Sequence, residues 1–135
     1  MKKISPEEYR KILNGIDLKN ILLKEVKASI EHKNFSENIK ISIKDKASYK
    51  NEEDELVITH TYTLTAKGKA KKPALKISGT YIVVFESNNE INDGFFNIYK
   101  ETSLPLNVWP FFRELVNSTT SRMNIPPLTL PLLKR

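Results

Sequence analysis

A chain of 135 residues suits one domain with its own core and is too short for two. Its hydrophobic content of 39% and charged content of 28% are ordinary for a globular protein and exclude wholesale disorder. There is no cysteine, which removes disulfide frameworks, thiol nucleophiles and thiolate metal sites, while a net charge of +6 permits attraction to nucleic acid, anionic membrane or acidic protein without deciding the fold.

The first element is a helix within residues 1–17. Ser5 supplies a hydroxyl cap, Pro6 suits the first helical position, Glu7 and Glu8 sit at the positive end of the dipole, and Asn14-Gly15 ends it. Tyr9, Ile12 and Leu13 give it a small apolar stripe. Met1-Lys2-Lys3-Ile4 is too short and too quickly followed by charge for a signal peptide, and no run of 18 apolar residues occurs. The expectation is therefore a cytoplasmic protein without membrane insertion.

Residues 18–86 hold four segments with period-two alternation. Leu22, Val26, Ala28 and Ile30 form the first apolar row, broken by Lys24. The second runs through Ile39, Ile41, Ile43, Ala47 and Tyr49, the third through Leu56, Ile58, Tyr62, Leu64 and Ala66, and the fourth through Leu75, Ile77, Gly79, Tyr81, Val83 and Phe85. Such alternation describes antiparallel strands with one buried and one wetter face. The short joins predict a β-meander.

Residues 87–107 lack clear periodicity and read as a crossover loop. Asn92-Asp93-Gly94 is a turn signal, and Phe95, Phe96 and Tyr99 follow it. Three aromatics are unusual in a long loop, because loops mostly lie at the surface. The main helix is expected over 108–124, with Pro110 at its first position. Trp109, Phe112, Leu115, Val116, Thr119 and Met123 share one face. Asn124 suits a left-handed end, Pro126 and Pro127 forbid continuation, and 125–135 is a Pro-rich exit. The whole is α+β: a four-stranded antiparallel sheet, an N-terminal helix and one main helix packed on it.

Catalytic constellations are scarce. His32 and His60 pair with no carboxylate at ligand spacing, and no phosphate loop or nucleophile elbow is present. Glu52-Glu53-Asp54-Glu55 lacks the spaced geometry of a calcium loop and reads as solvated. Lys67, Lys69, Lys71 and Lys72 make a basic loop, but it carries no aromatic for stacking and no arginine for bidentate readout. The chain therefore reads as a non-enzyme without cofactor or metal, and nucleic acid is the weaker partner class.

The last third of the chain resembles the SecB export chaperones. The matching residues are Pro110, Phe111, Arg113, Glu114, Arg122, Ile125, Pro126, Pro127, Leu128 and Leu130, and the order of elements agrees over roughly 18–132. The resemblance implies an ATP-independent holdase that binds unfolded polypeptide in an apolar groove. It implies that Phe35, Ile39, Phe95, Phe96, Tyr99, Ile125 and Leu128 line that groove. It also implies a homo-oligomer, a tetramer built as a dimer of dimers, with Trp109, Phe112, Leu115, Val116 and Met123 as the oligomer or core helix face. Three departures from the family stand out: the chain is basic, Lys27 and Lys76 align with family acids, and no further helix or tail follows the Pro-Pro break. The family's docking to the SecA motor uses an acidic sheet face and a tail, so these departures argue against it. They favour the related branch in which a SecB-like chaperone protects the antitoxin of a toxin–antitoxin module, with general protein export as the alternative.

Overall fold

A computed structural model describes residues 3–36, 38–126 and 129–131. The first helix, α1 (Pro6–Asn14), starts where its signals place it: the Ser5 hydroxyl accepts from the Glu8 N–H at 3.1 Å, and the Gly15 N–H donates to the Ile12 carbonyl. Four antiparallel strands follow, β1 (Ile16–Ile30), β2 (Lys40–Glu52), β3 (Glu55–Lys67) and β4 (Leu75–Ser87), with a short 3-10 turn at His32–Asn34. Two further helices complete the chain, α2 (Asp93–Thr102) and α3 (Leu104–Ser121). The α+β architecture expected from the sequence is present.

The sheet order is β1-β4-β3-β2, which corrects the simple meander. Strands β2, β3 and β4 are joined by hairpins, but β1 pairs with β4, so the connection after β1 crosses the sheet end to the far edge. This is Greek-key connectivity. The crossing segment is tied to the β3–β4 loop beneath it. The Glu31 N–H donates to the Ala74 carbonyl at 2.8 Å, and the Asn34 amide reaches the Pro73 carbonyl.

Strand β1 begins at Ile16, and its broken apolar row has a local cause. Its register against β4 shifts between Leu18 and Asn20 and again between Leu23 and Glu25. Each irregularity inserts one residue, Lys19 and Lys24, and moves the following side chains to the opposite face. Leu18, Ile21, Leu23, Val26 and Ala28 therefore share the helix-covered face, while Leu22 lies on the other, opposite Ile82.

The core lies between the sheet and α3. The helix buries Leu104, Val108, Phe112, Val116 and Thr120, a stripe at four-residue spacing, together with Pro105, against Leu56, Ile58, Leu64, Ile77 and Val83. At Gly79 a Cβ would lie 2.9 Å from Leu115 Cδ2 and 3.2 Å from the Tyr81 ring, so a larger residue there would require those side chains to shift.

Two expectations for the C-terminal half need correction. Helix α3 starts at Leu104, ahead of Trp109-Pro110, and Pro110 sits inside it. Its missing donor frees the Leu106 carbonyl, and Pro110 and Leu106 both lie on the exposed side, where water can serve that group. The crossover loop over 87–107 also contains a helix. Asn92 caps α2, its side chain accepting from the Phe95 N–H at 2.8 Å, so the expected turn is a helix start. The C-terminal end behaves as expected: Asn124 has φ 60° in the left-handed region.

Candidate functional site

Most of the open apolar surface lies on the helix-covered face of the sheet, at its two edges. Helix α3 sits over the central strands, and the cross-strand register shows what it leaves bare. On β2, Ile41 and Ile43 stand opposite Ala66 and Leu64, yet they are 46% and 36% exposed while those partners are buried. Next along the strand come Asp45 and Ala47, opposite Tyr62 and His60. Here the sheet edge and the helices enclose a cleft of about 340 Å³, lined by Asp45, Ala47, Tyr62, Glu101, Pro105 and Trp109, with Lys100 at its rim.

Aromatic stacking builds the wall of this cleft. Tyr62 stacks on Phe112 at 5.1 Å and meets the edge of Trp109 at 5.5 Å. The Trp109 indole N–H donates to the Pro131 carbonyl at 2.9 Å, and Arg113 Nε donates to the Leu130 carbonyl at 2.6 Å. Asn117 bonds the Thr129 hydroxyl, so residues 129–131 run back along α3. Arg113 and Leu130, both part of the resemblance, thus meet in space.

Behind the cleft His60 is fully buried and its Nε2 lies 2.8 Å from Asp45 Oδ2. Burial holds the imidazole below its ordinary value of 6.5, against the opposing pull of the Asp45 carboxylate. The neutral ring therefore donates from Nε2, and its Nδ1 has no hydrogen-bond partner among the described residues. Those residues also hold no cluster of three or more His, Asp or Glu side chains placed for a metal ion.

The predicted groove residues separate into two sets. Phe35 is 37% exposed on the β1–β2 crossing, and Ile39 is half-buried against the core. Ile125 is half-buried just beyond α3, and Leu128 lies outside the described residues. Phe95, Phe96 and Tyr99 are at 0%, 5% and 3% exposure, so they offer no face to a second molecule. Phe95 stacks on Tyr9 at 4.9 Å and on Tyr99 at 5.5 Å, Phe96 packs on Tyr49 at 4.7 Å, and Tyr99 meets Phe85 edge-on. The Tyr49 hydroxyl donates to Asp93, and burial together with that carboxylate pushes Tyr49 up to about 12. The Asn51 side chain pairs both ways with the Ile91 backbone at 3.0 Å. These contacts make α2 a plug in the core.

The helix-face set divides similarly. Phe112 and Val116 are completely buried within the chain, whereas Trp109, Leu115 and Met123 are partly open. The surplus apolar surface lies elsewhere: Phe111 is 49% exposed, 6.5 Å from Tyr81, with Leu18, Leu23 and Val26 of β1 similarly bare. Phe111 was visible in the motif but lies off the apolar row of the helix. The β1 residues were obscured by the two bulges.

No protein-family model matches the sequence, and no curated protein does. The solved SecB-like chaperone Rv1957 of Mycobacterium tuberculosis, in complex with a ChAD peptide from the HigA1 antitoxin Rv1956, is similar in structure. The TM-score is 0.78 at 17% identity over 95% of this chain and 98% of that one. A protein of unknown function from Streptococcus agalactiae is more distantly similar, with a TM-score of 0.51 at 12% identity over 87% of this chain and 97% of that one. The chain is built on the SecB-like fold.

Proposed function

We propose that the protein is an ATP-independent holdase that captures extended apolar stretches of unfolded polypeptide along the β2 edge. The observation that carries this reading is the open row Ile41–Ile43 leading into the Tyr62–Trp109 cleft. An extended client places alternate side chains on one side, and pockets at strand spacing accept them with little demand on sequence. Each apolar side chain buried contributes roughly 1.5–3 kcal/mol before ordering costs, so several sites are needed for useful affinity. The groove comprises Ile41, Ile43, Ala47, Tyr62 and Trp109, continued by Ile39 and Phe35 on the chain leading into β2, while Ile125 is half-buried beyond α3. The fold of a chaperone solved with an antitoxin peptide supports the same reading and suggests an antitoxin as the client.

The β1 edge serves self-association in this proposal. It combines an unpaired strand edge with Leu18, Leu23, Val26 and Phe111, and a second copy would cover both. Delivery of preproteins to the Sec translocase is the alternative role, and Lys27 and Lys76 on the sheet argue against it by opposing the charge that SecA docking requires.

The test is suppression of client aggregation without ATP. Ile43→Asp and Phe35→Asp alter exposed side chains and are expected to abolish suppression while leaving the circular dichroism spectrum unchanged. Full suppression by both variants would refute the groove assignment.

A further inference from the structure

The face of the sheet turned away from the helices is ordered by charge. Read across the four strands, its rows are Glu52–Glu55–Glu86–Asp17, then Lys50–Val57–Val84–Asn20, Ser48–Thr59–Ile82–Leu22, Lys46–Thr61–Thr80–Glu25, Lys44–Thr63–Ser78–Lys27 and Ser42–Thr65–Lys76–Ser29. One end is uniformly acidic and the other is basic, with an apolar strip between them. Lys40 extends the basic end opposite Lys67.

Like charges in neighbouring rows cost stability unless something offsets them. The acidic end has partners within the chain: Lys19 bonds Glu55 at 2.9 Å and Lys50 bonds Glu52 at 3.1 Å. Lys40, Lys44, Lys46 and Lys76 are exposed and form no ion pair among the described residues. Two shallow furrows of about 410 and 370 Å³ share Thr63 and Lys76 as walls, the first also lined by Lys27, which bonds Glu25 at 3.5 Å, and the second by Lys44, Lys46 and Asp45. They lie side by side across the strands over hydroxyls that pair as Thr61–Thr80 and Thr63–Ser78, each pair keeping one O–H to donate.

We propose that this basic half docks an acidic segment of a partner polypeptide, with an apolar side chain of the segment seated on Leu22, Ile82 and Val84. Charge complementarity supplies the attraction, and the hydroxyl floor supplies hydrogen bonds to carboxylates. The neighbouring strip selects polypeptide over nucleic acid. Leu22 is 42% exposed beside half-buried Ile82 and Val84, and a phosphate backbone gains nothing from it. No aromatic or arginine stands on this face for base stacking or bidentate readout. The acidic row lies roughly 26 Å along the strands from Lys44, at ~3.3 Å per residue, so it repels a polyanion longer than the basic half. The site is on the opposite side of the sheet from the client cleft, so both can be occupied together.

The test uses the full chain and a fluorescent peptide of alternating Glu and Leu, about eight residues long, enough to cross the basic half at ~3.3 Å per residue. Anisotropy is expected to show binding that weakens with added salt. Lys44→Glu combined with Lys76→Glu should weaken it by about tenfold or more. Leu22→Ser should weaken it without changing the salt dependence, and aggregation suppression should remain intact in every variant. Three results would each overturn the proposal. One is no binding at low salt, or binding indifferent to the charge reversals. Another is equal affinity for duplex DNA that ignores Leu22→Ser, which assigns the face to nucleic acid. The third is a change of assembly mass in the charge-reversed variant, which assigns it to a second copy of the chain.

Discussion

His60 is the buried titratable side chain with the clearest consequence for stability. Its native value is depressed below 6.5 by burial, so near neutrality the unfolded chain binds more protons than the folded one. Stability therefore rises with pH through this group, and it falls as pH drops below 6.5 towards the lower native value. Urea melts at a series of pH values should show this decline, and His60→Gln should flatten the portion due to the histidine. A variant with the same slope as the parent would show that another group carries it. The Asp45 carboxylate that holds His60 also lines the client cleft, so the same residue links core and site.

Among the elements, α2 departs most from what its sequence suggests. Nine residues in α1 and ten in α2 are too few for helices that stand alone in water, so tertiary contacts hold them. For α2 those contacts are the Tyr9, Tyr49 and Phe85 rings and the Asn92 cap. Asn92→Ala should cost about 1 kcal/mol, the usual worth of an N-cap, measured as a shift in urea midpoint with unchanged slope. A neutral result would mean that aromatic packing alone sets the start of the helix. The burial of Phe96 has a direct corollary: Phe96→Asp would place an unpaired carboxylate in the core and unfold the chain, so it is no test of client binding.

The molecule as a whole is a single sheet with helices on one face, and that face is wider than the helices covering it. Both edges keep bare apolar residues, at Ile41 and Ile43 on one side and at Leu18, Leu23, Val26 and Phe111 on the other. A two-fold pairing through the β1 side would bury the larger of these surfaces and remove an open strand edge. Light scattering is expected to give a mass above that of one chain, and a dimer of dimers would give four times it. Phe111→Asp with Leu23→Asp should lower the mass while keeping the fold, since both side chains are exposed. An unchanged mass would place the contact elsewhere.

Period-two alternation of Leu56 to Ala66 and Leu75 to Phe85 identified the two central strands, because a strand buried on one face has no other way to satisfy that face. The Ser5-Pro6 start of α1 and the Asn124 end beyond α3 were equally legible, since caps are local chemistry. Sheet order was not. Pairing β1 with β4 rather than β2 depends on closing a loop over the sheet end, a modest entropic cost that leaves no local mark. The bulges at Lys19 and Lys24 turned a broken row into a continuous apolar face only once β4 was beside it. The same holds for Phe95, Phe96 and Tyr99. They resembled exposed aromatics because their partners Tyr9, Tyr49 and Phe85 lie far away in the chain, and burial is a property of pairs that meet only in the folded protein.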